Sequence, residues 1–272
     1  MKKQFHNEEV IKREQARMQN RACRPHLYGK KITVPTRNGS MHAFIYNKEN
    51  LHPGYLIVEV HGGGFMYNTA ADDDDFCHFI HQTLGIPVIA CDYSLTQEHP
   101  FPIGLEDVYD CVLHALSMKE LKAQPDRIIL WGHSAGANLA AGTVYMAREN
   151  QQFTPCMQIL DYPYMDPYRS SAERRPIRNS VSGKLMDTFA HYYTKSPELR
   201  NVLISPILYP AETFTDMPRT FILLCGRDNL NEGGKKYGLL LRKAKVPVTF
   251  YYVREALHGF IENHFNYEYI PS

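Results

Sequence analysis

Short apolar runs recur along the chain, separated by stretches long enough for a helix. Residues 55–60, 87–91 and 127–131 are apolar at nearly every position, and the rhythm resumes at 158–160, 220–225 and 248–253. A run that is apolar throughout suits a strand covered on both faces, the mark of a parallel sheet packed between helices. Ahead of these, 31–35 and 41–46 flank Arg37-Asn38-Gly39, where Asn-Gly is expected to supply the positive φ angles of a hairpin turn. The pattern therefore predicts an α/β fold: a mostly parallel, eight-stranded sheet, opened by an antiparallel pair and flanked by helices.

Two regions depart from this rhythm. Residues 8–21 are polar and helix-prone, so 1–30 is expected to form an N-terminal helical arm or a small cap. Residues 163–206, after the sixth strand, are rich in tyrosine, proline and arginine, with a possible helix at 185–193. They read as a cap-like insertion over the edge of the sheet where open α/β sheets bind ligands. No repeat or low-complexity linker divides the chain, so 1–272 is expected to be a single domain.

Charge adds mainly exclusions. The 30 lysines and arginines nearly cancel the 29 aspartates and glutamates, which leaves no overall field for nucleic acid or an anionic membrane. A small-molecule substrate is the better default. The charged N-terminus lacks the apolar core of a signal peptide, and no apolar run approaches the roughly 18 to 20 residues that span a bilayer. A soluble, cytoplasmic protein is expected, and its oligomeric state, a homo-oligomer included, is left open. The cysteines at 23, 77, 91, 111, 156 and 225 form no Cys-x-x-Cys pair and are expected to be reduced.

The chemistry begins at Gly132-His133-Ser134-Ala135-Gly136, between the run 127–131 and a helical pattern at 135–148. Such a strand, sharp turn and helix lift a serine hydroxyl to the edge of a sheet beside a helix N-terminus. Alone, the motif is weak. His61-Gly62-Gly63-Gly64 directly follows the strand at 55–60, and consecutive glycines let backbone N–H groups approach an oxyanion with no Cβ in the way. A phosphate-cradling loop is disfavoured, because no Lys-Ser or Lys-Thr follows. A serine needs a base, and that base needs an acid to orient it. His258 follows the last strand and Asp228 the strand before it, giving the chain order Ser134, Asp228, His258. Asp161, Asp216 and Glu232 are rival acids.

With these residues in view, the stretch from Tyr55 to Phe265 resembles the hormone-sensitive-lipase-like branch of the α/β-hydrolase esterases. The resemblance rests on His61-Gly62-Gly63-Gly64-Phe65, on 92–102 leading to Glu106-Asp107, on the serine motif, and on Asp228 and His258-Gly259-Phe260. It implies an oxyanion hole formed by Gly63, Gly64 and Ala135, and hydrolysis of short-chain carboxylic esters without a cofactor. Three positions depart from the pattern: His133 stands where the family usually has aspartate, Ala137 where it has glycine, and Asn229-Leu230 where Pro-Leu follows the acid. The surroundings of the nucleophile are therefore expected to be neutral rather than acidic, with His133 in a structural role turned away from substrate.

The aromatic residues near the site, chiefly Phe65, Tyr67 and Tyr164, are expected to wall a substrate pocket. Arg169, Arg174, Arg175 and Arg178 read as a solvated charge cluster. Asp72-Asp73-Asp74-Asp75, with His78 and His81 following, reads as the cap of a helix starting near Phe76 rather than a metal site. The expected function is a serine carboxylesterase acting on a small ester, with acetyl to butyryl acyl groups. A serine peptidase of the same fold would need a larger gating domain, and a non-catalytic receptor commonly lacks a triad member, whereas all three are present here.

Overall fold

The computed structural model describes residues 27–48, 50–195 and 200–262. Through residue 26 the expected N-terminal arm, and Cys23 with it, lies outside the described residues. The eight strands are β1 (Lys30–Thr36), β2 (Gly39–Tyr46), β3 (Leu56–Val60), β4 (Val88–Asp92), β5 (Ile128–His133), β6 (Met157–Asp161), β7 (Arg219–Arg227) and β8 (Val248–Leu257). They form one sheet in the order β1-β2-β4-β3-β5-β6-β7-β8. β2 pairs antiparallel with β1 and β4, and every other neighbouring pair is parallel.

The hairpin differs in detail from the expectation. Thr36 pairs with Gly39, so Arg37 and Asn38 are the turn residues, and of Asn38 and Gly39 only the glycine has a positive φ. Side chains hold the turn instead: Arg37 pairs with Asp110 and Asn38 donates to Glu106, both on α2 (Ile103–Ser117).

Strand alternation sorts the core into two faces. Leu56, Val58, Val60, Ile128 and Leu130 pack on one side with α2 and α3 (Ala135–Asn150). Ile57, Ile129 and Trp131 point the other way, toward Phe76, Cys77 and Ile80 of α1 (Asp74–Leu84). The same alternation turns Glu59 and His133 toward α1, into a fully buried layer. The helix of the insertion is α4 (Gly183–Thr194), capped by the Ser182 side chain on the Leu185 N–H, and α5 (Asn231–Lys243) connects β7 to β8. Among the described residues no helix is long and apolar enough to cross a membrane. The five described cysteines are free thiols.

The four aspartates do not act together as a helix cap. Asp72 closes a capping box with Thr69 on the single turn Ala70–Asp73, while Asp74 accepts from the Tyr28 and Gly29 N–H groups and from the Tyr46 hydroxyl. Asp73 turns inward and is buried. His78 stacks on Tyr28 and His81 Nδ1 contacts the Ile86 carbonyl, so neither joins the acids.

Candidate active site

Ser134 sits between β5 and α3 at φ 53 and ψ −111, a conformation that L residues rarely adopt. The backbone around it enforces this. Its N–H donates to the Asp161 carbonyl at 2.9 Å and its carbonyl accepts from Tyr164 N–H at 3.1 Å. The flanking glycines are there for close approach: a Cβ on Gly132 would lie 2.4 Å from the Gly136 oxygen, and one on Gly136 would lie 2.0 Å from the Val60 oxygen. The turn can thus press against β3, the strand that leads into the glycine run.

Three strand ends converge on the serine. His258 lies just past β8, with Nε2 2.8 Å from Ser134 Oγ and Nδ1 2.8 Å from Asp228 Oδ2. Asp228 lies just past β7, and its other oxygen accepts from the Leu230 N–H at 3.0 Å and the Ser180 hydroxyl at 3.2 Å. Those two donors fix the carboxylate so that Oδ2 faces the imidazole. Burial disfavours a charged His258, but Asp228 outweighs it, with a smaller push from Glu262, and the pKa stands above the ordinary histidine value.

Gly63 and Gly64, at φ 118 and φ 63, curl the loop after β3 over the serine. Ala135 begins α3, where the first N–H groups of a helix have no intrahelical partner. These elements open onto a cavity of about 170 Å³, walled by Tyr67, Tyr164, Leu185, Met186, Phe189 and Leu230, with Ser134 and His258 at its floor. Phe65 is not part of that wall. It is 1 % exposed and stacks on Tyr193 at 3.7 Å, because the loop at φ 65 turns its ring into the core.

The rival acids have other partners or places. Asp161 lies 3.2 Å from His133 Nδ1, Glu232 pairs with Arg169 at 2.8 Å, and Asp216 borders a separate groove with Pro218. Arg174 corrects the picture of a solvated cluster: it is buried, pairs with Asp166 at 2.7 Å, and lies over the Tyr164 ring.

Residues 57–262 match the family model described as alpha/beta hydrolase fold. The chain belongs to the alpha/beta hydrolase fold family. Among curated relatives it is 29 % identical over 243 residues to the carboxylic ester hydrolase LipN of Mycobacterium tuberculosis, an alignment covering 85 % of this chain and 63 % of LipN. It is 26 % identical over 210 residues to an arylesterase of Saccharolobus solfataricus, covering 76 % of this chain and 68 % of the relative. The chain therefore spans about two thirds of the length of the curated relatives it matches. Among solved structures, an esterase of Pyrobaculum calidifontis superposes with a TM-score of 0.80 at 26 % identity, covering 97 % of this chain and 87 % of that one.

Set against the residues expected for an alpha/beta hydrolase, the layer behind the serine holds His133 among the carboxyl groups of Glu59, Asp73 and Asp161. His133 is completely buried, 3.2 Å from Asp161 and 3.8 Å from Glu59, with the edge of Phe76 against its ring. Burial works against its charge, yet Asp161, Glu262 and Asp73 push its pKa up to about 9. Burial likewise pushes Glu59 up to about 8 and Asp73 well above the usual carboxylate range. Tyr162 donates its hydroxyl to Glu262 and packs edge-on to His258.

Sequence reasoning missed Glu262 and Ser180 at the site, and Glu59 and Asp73 behind it. For Glu59 a signal existed: it is the one charged residue in Leu-Ile-Val-Glu-Val, a strand buried at every position. Nothing comparable marked Ser180, which reaches Asp228 from 48 residues away.

Proposed function

We propose that this chain is a serine carboxylesterase that hydrolyses small esters, with acetyl to butyryl acyl groups, through Ser134, His258 and Asp228. One observation carries the reading: an unbroken chain of contacts runs from Ser134 Oγ through His258 to Asp228, 2.8 Å at each step, on the floor of a cavity lined by the glycine loop. The names of the relatives, esterases and ester hydrolases, point the same way.

The roles follow from the contacts. His258 Nε2 takes the hydroxyl proton as Ser134 Oγ bonds to the ester carbonyl carbon, and the carbonyl electrons move onto oxygen. The N–H groups of Gly63, Gly64 and Ala135 hold that oxyanion, where one donor is worth about 3 to 4 kcal/mol in the barrier. The imidazolium returns its proton to the departing alcohol, leaving the acyl group on Ser134. Water then repeats the attack with His258 as base and frees the acid. Asp228 keeps the proton on Nδ1, so that Nε2 stays the accepting nitrogen. Every step is carried by side chains and backbone of this chain, so no cofactor is needed.

Within a single domain we assign 163–206 as the cap. It supplies Tyr164, Val181, Leu185, Met186 and Phe189 to the cavity, whose size suits a short acyl chain. The test uses p-nitrophenyl acetate, butyrate, octanoate and palmitate with wild type and Ser134→Ala. The expected preference is acetate or butyrate, with no turnover by the variant. A preference for palmitate would overturn the assigned chain length, and absence of a fluorophosphonate adduct on Ser134 of folded protein would overturn the enzyme.

A further inference from the structure

Directly behind the nucleophile, on the α1 face of the sheet, Glu59, Asp73 and His133 converge, with the Glu59 and Asp73 carboxyls within hydrogen-bond reach of each other. Glu59 Oε1, Asp73 Oδ2 and His133 Nε2 are all shut off from solvent and, apart from that carboxyl pair, meet no hydrogen-bond partner among the described residues. One ligand atom from each of the three residues lies within 4.8 Å of the others, and His133 Nε2 is 3.8 Å from Glu59 Oε1. Among the described residues no lysine or arginine pairs with either carboxylate; the ion pair of this group is the one between His133 and Glu59. A buried imidazole nitrogen left unsatisfied beside two carboxyl groups is unusual in a folded protein.

The outer face of the cluster is built as metal sites are. His133 Nδ1 lies 3.2 Å from Asp161 Oδ2, which also accepts the Trp131 indole N–H at 2.6 Å. Metal binding displaces the Nε2 proton, and the carboxylate on Nδ1 holds the tautomer whose Nε2 lone pair faces the ion. Glu59 comes from β3, His133 from the end of β5, and Asp73 from the turn before α1, so each ligand stands on a rigid element. Asp73 also lines the active-site cavity, which brings that cavity up to the edge of the cluster.

We propose that Glu59, Asp73 and His133 bind a first-row divalent cation, zinc above all, with the remaining coordination position facing the cavity. One imidazole and two carboxylates suit zinc, whereas magnesium and calcium prefer an all-oxygen set. Zinc–ligand bonds of about 2.0 to 2.2 Å place two ligands of one ion roughly 3 to 4 Å apart, so the observed 3.8 Å fits and a small closure of Asp73 completes the set. The ion ties together the segments that carry the glycine loop and the serine turn. It takes no part in the acyl transfer, so the site stands or falls independently of the esterase reading.

The experiment uses the full chain as Ser134→Ala, which removes turnover from the readout. Protein grown with zinc and then desalted is assayed for metal by plasma mass spectrometry, and chelator-stripped protein is melted with zinc, manganese, magnesium or calcium. About one zinc per chain is expected, with a rise in Tm of about 5 °C at a hundredfold excess over Kd and no rise with magnesium or calcium. Glu59→Gln and Asp73→Asn should lose the ion, and Asp161→Asn should bind it about 10 to 100-fold more weakly. If the carboxamide variants fail to fold by circular dichroism, the Asp161→Asn titration alone decides. Folded wild-type cluster with neither zinc nor a shift overturns the proposal in favour of protons shared by Glu59 and Asp73. Unchanged zinc content in the ligand variants overturns it in favour of a site elsewhere.

Discussion

His258 and His133 share a carboxylate on Nδ1 and differ in what meets Nε2. Each has a carboxylate on Nδ1, Asp228 at 2.8 Å for one and Asp161 at 3.2 Å for the other. His258 Nε2 meets the Ser134 hydroxyl at 2.8 Å, on the floor of a cavity, whereas His133 Nε2 meets no hydrogen-bond partner among the described residues, in a layer closed to solvent. The first arrangement passes a proton between groups that are all satisfied. The second sets three carboxyl groups around a ring whose Nε2 has no partner to take its proton. A histidine paired with an acid is therefore not a catalytic signature by itself; the occupant of its second nitrogen decides what it is for.

Breaking the satisfied side should have the largest consequences. Ser134→Ala is expected to lower kcat/KM by about four to six orders of magnitude with no loss of folding, as read by steady-state kinetics and thermal melting. Asp228→Asn should follow at about four orders of magnitude, since the amide stabilises the wrong tautomer. It should also move the acidic limb of the pH profile. The limb reports protonation of His258, whose pKa Asp228 holds above the ordinary value, so activity should persist to lower pH in the variant than in wild type. A limb that stays in place would break the link between this acid and this base.

Gly64→Ala comes next, at about a hundredfold or more in kcat. Its Cβ would lie 2.3 Å from the Phe189 ring at φ 63, so the loop must move and a donor N–H with it. The smallest effect should come from Glu262→Gln. Glu262 is the weaker of the two acids acting on His258, so the same limb should shift downward by less than in Asp228→Asn, measured with the same ester over the same buffers. An equal or larger shift would make Glu262, not Asp228, the principal partner of the base.

The strands, their order of types and the three candidate catalytic residues were legible because each depends on local pattern: runs buried on both faces, glycines at sharp turns, polar residues just past strand ends. What escaped depends on which distant segments meet. Ser180 reaches Asp228 only because the insertion folds back over β7, and Asp73 parts from its three aspartate neighbours only because the turn before α1 faces Glu59. Phe65 looked like a pocket wall for the same reason, since a positive φ at that residue, invisible in composition, turns its ring onto Tyr193. Arg174 likewise looked solvated until Asp166 was found against it.

Phe189 has one further consequence for how this pocket can change. Its ring closes the cavity and also fills the space that a side chain at position 64 would need. Enlarging the pocket by trimming that ring would at the same stroke relax the constraint that keeps the loop bare. Substrate breadth and loop fidelity are then a single inherited variable, and variants selected for bulkier esters should accumulate compensating changes around Gly64 rather than at the rim of the cap.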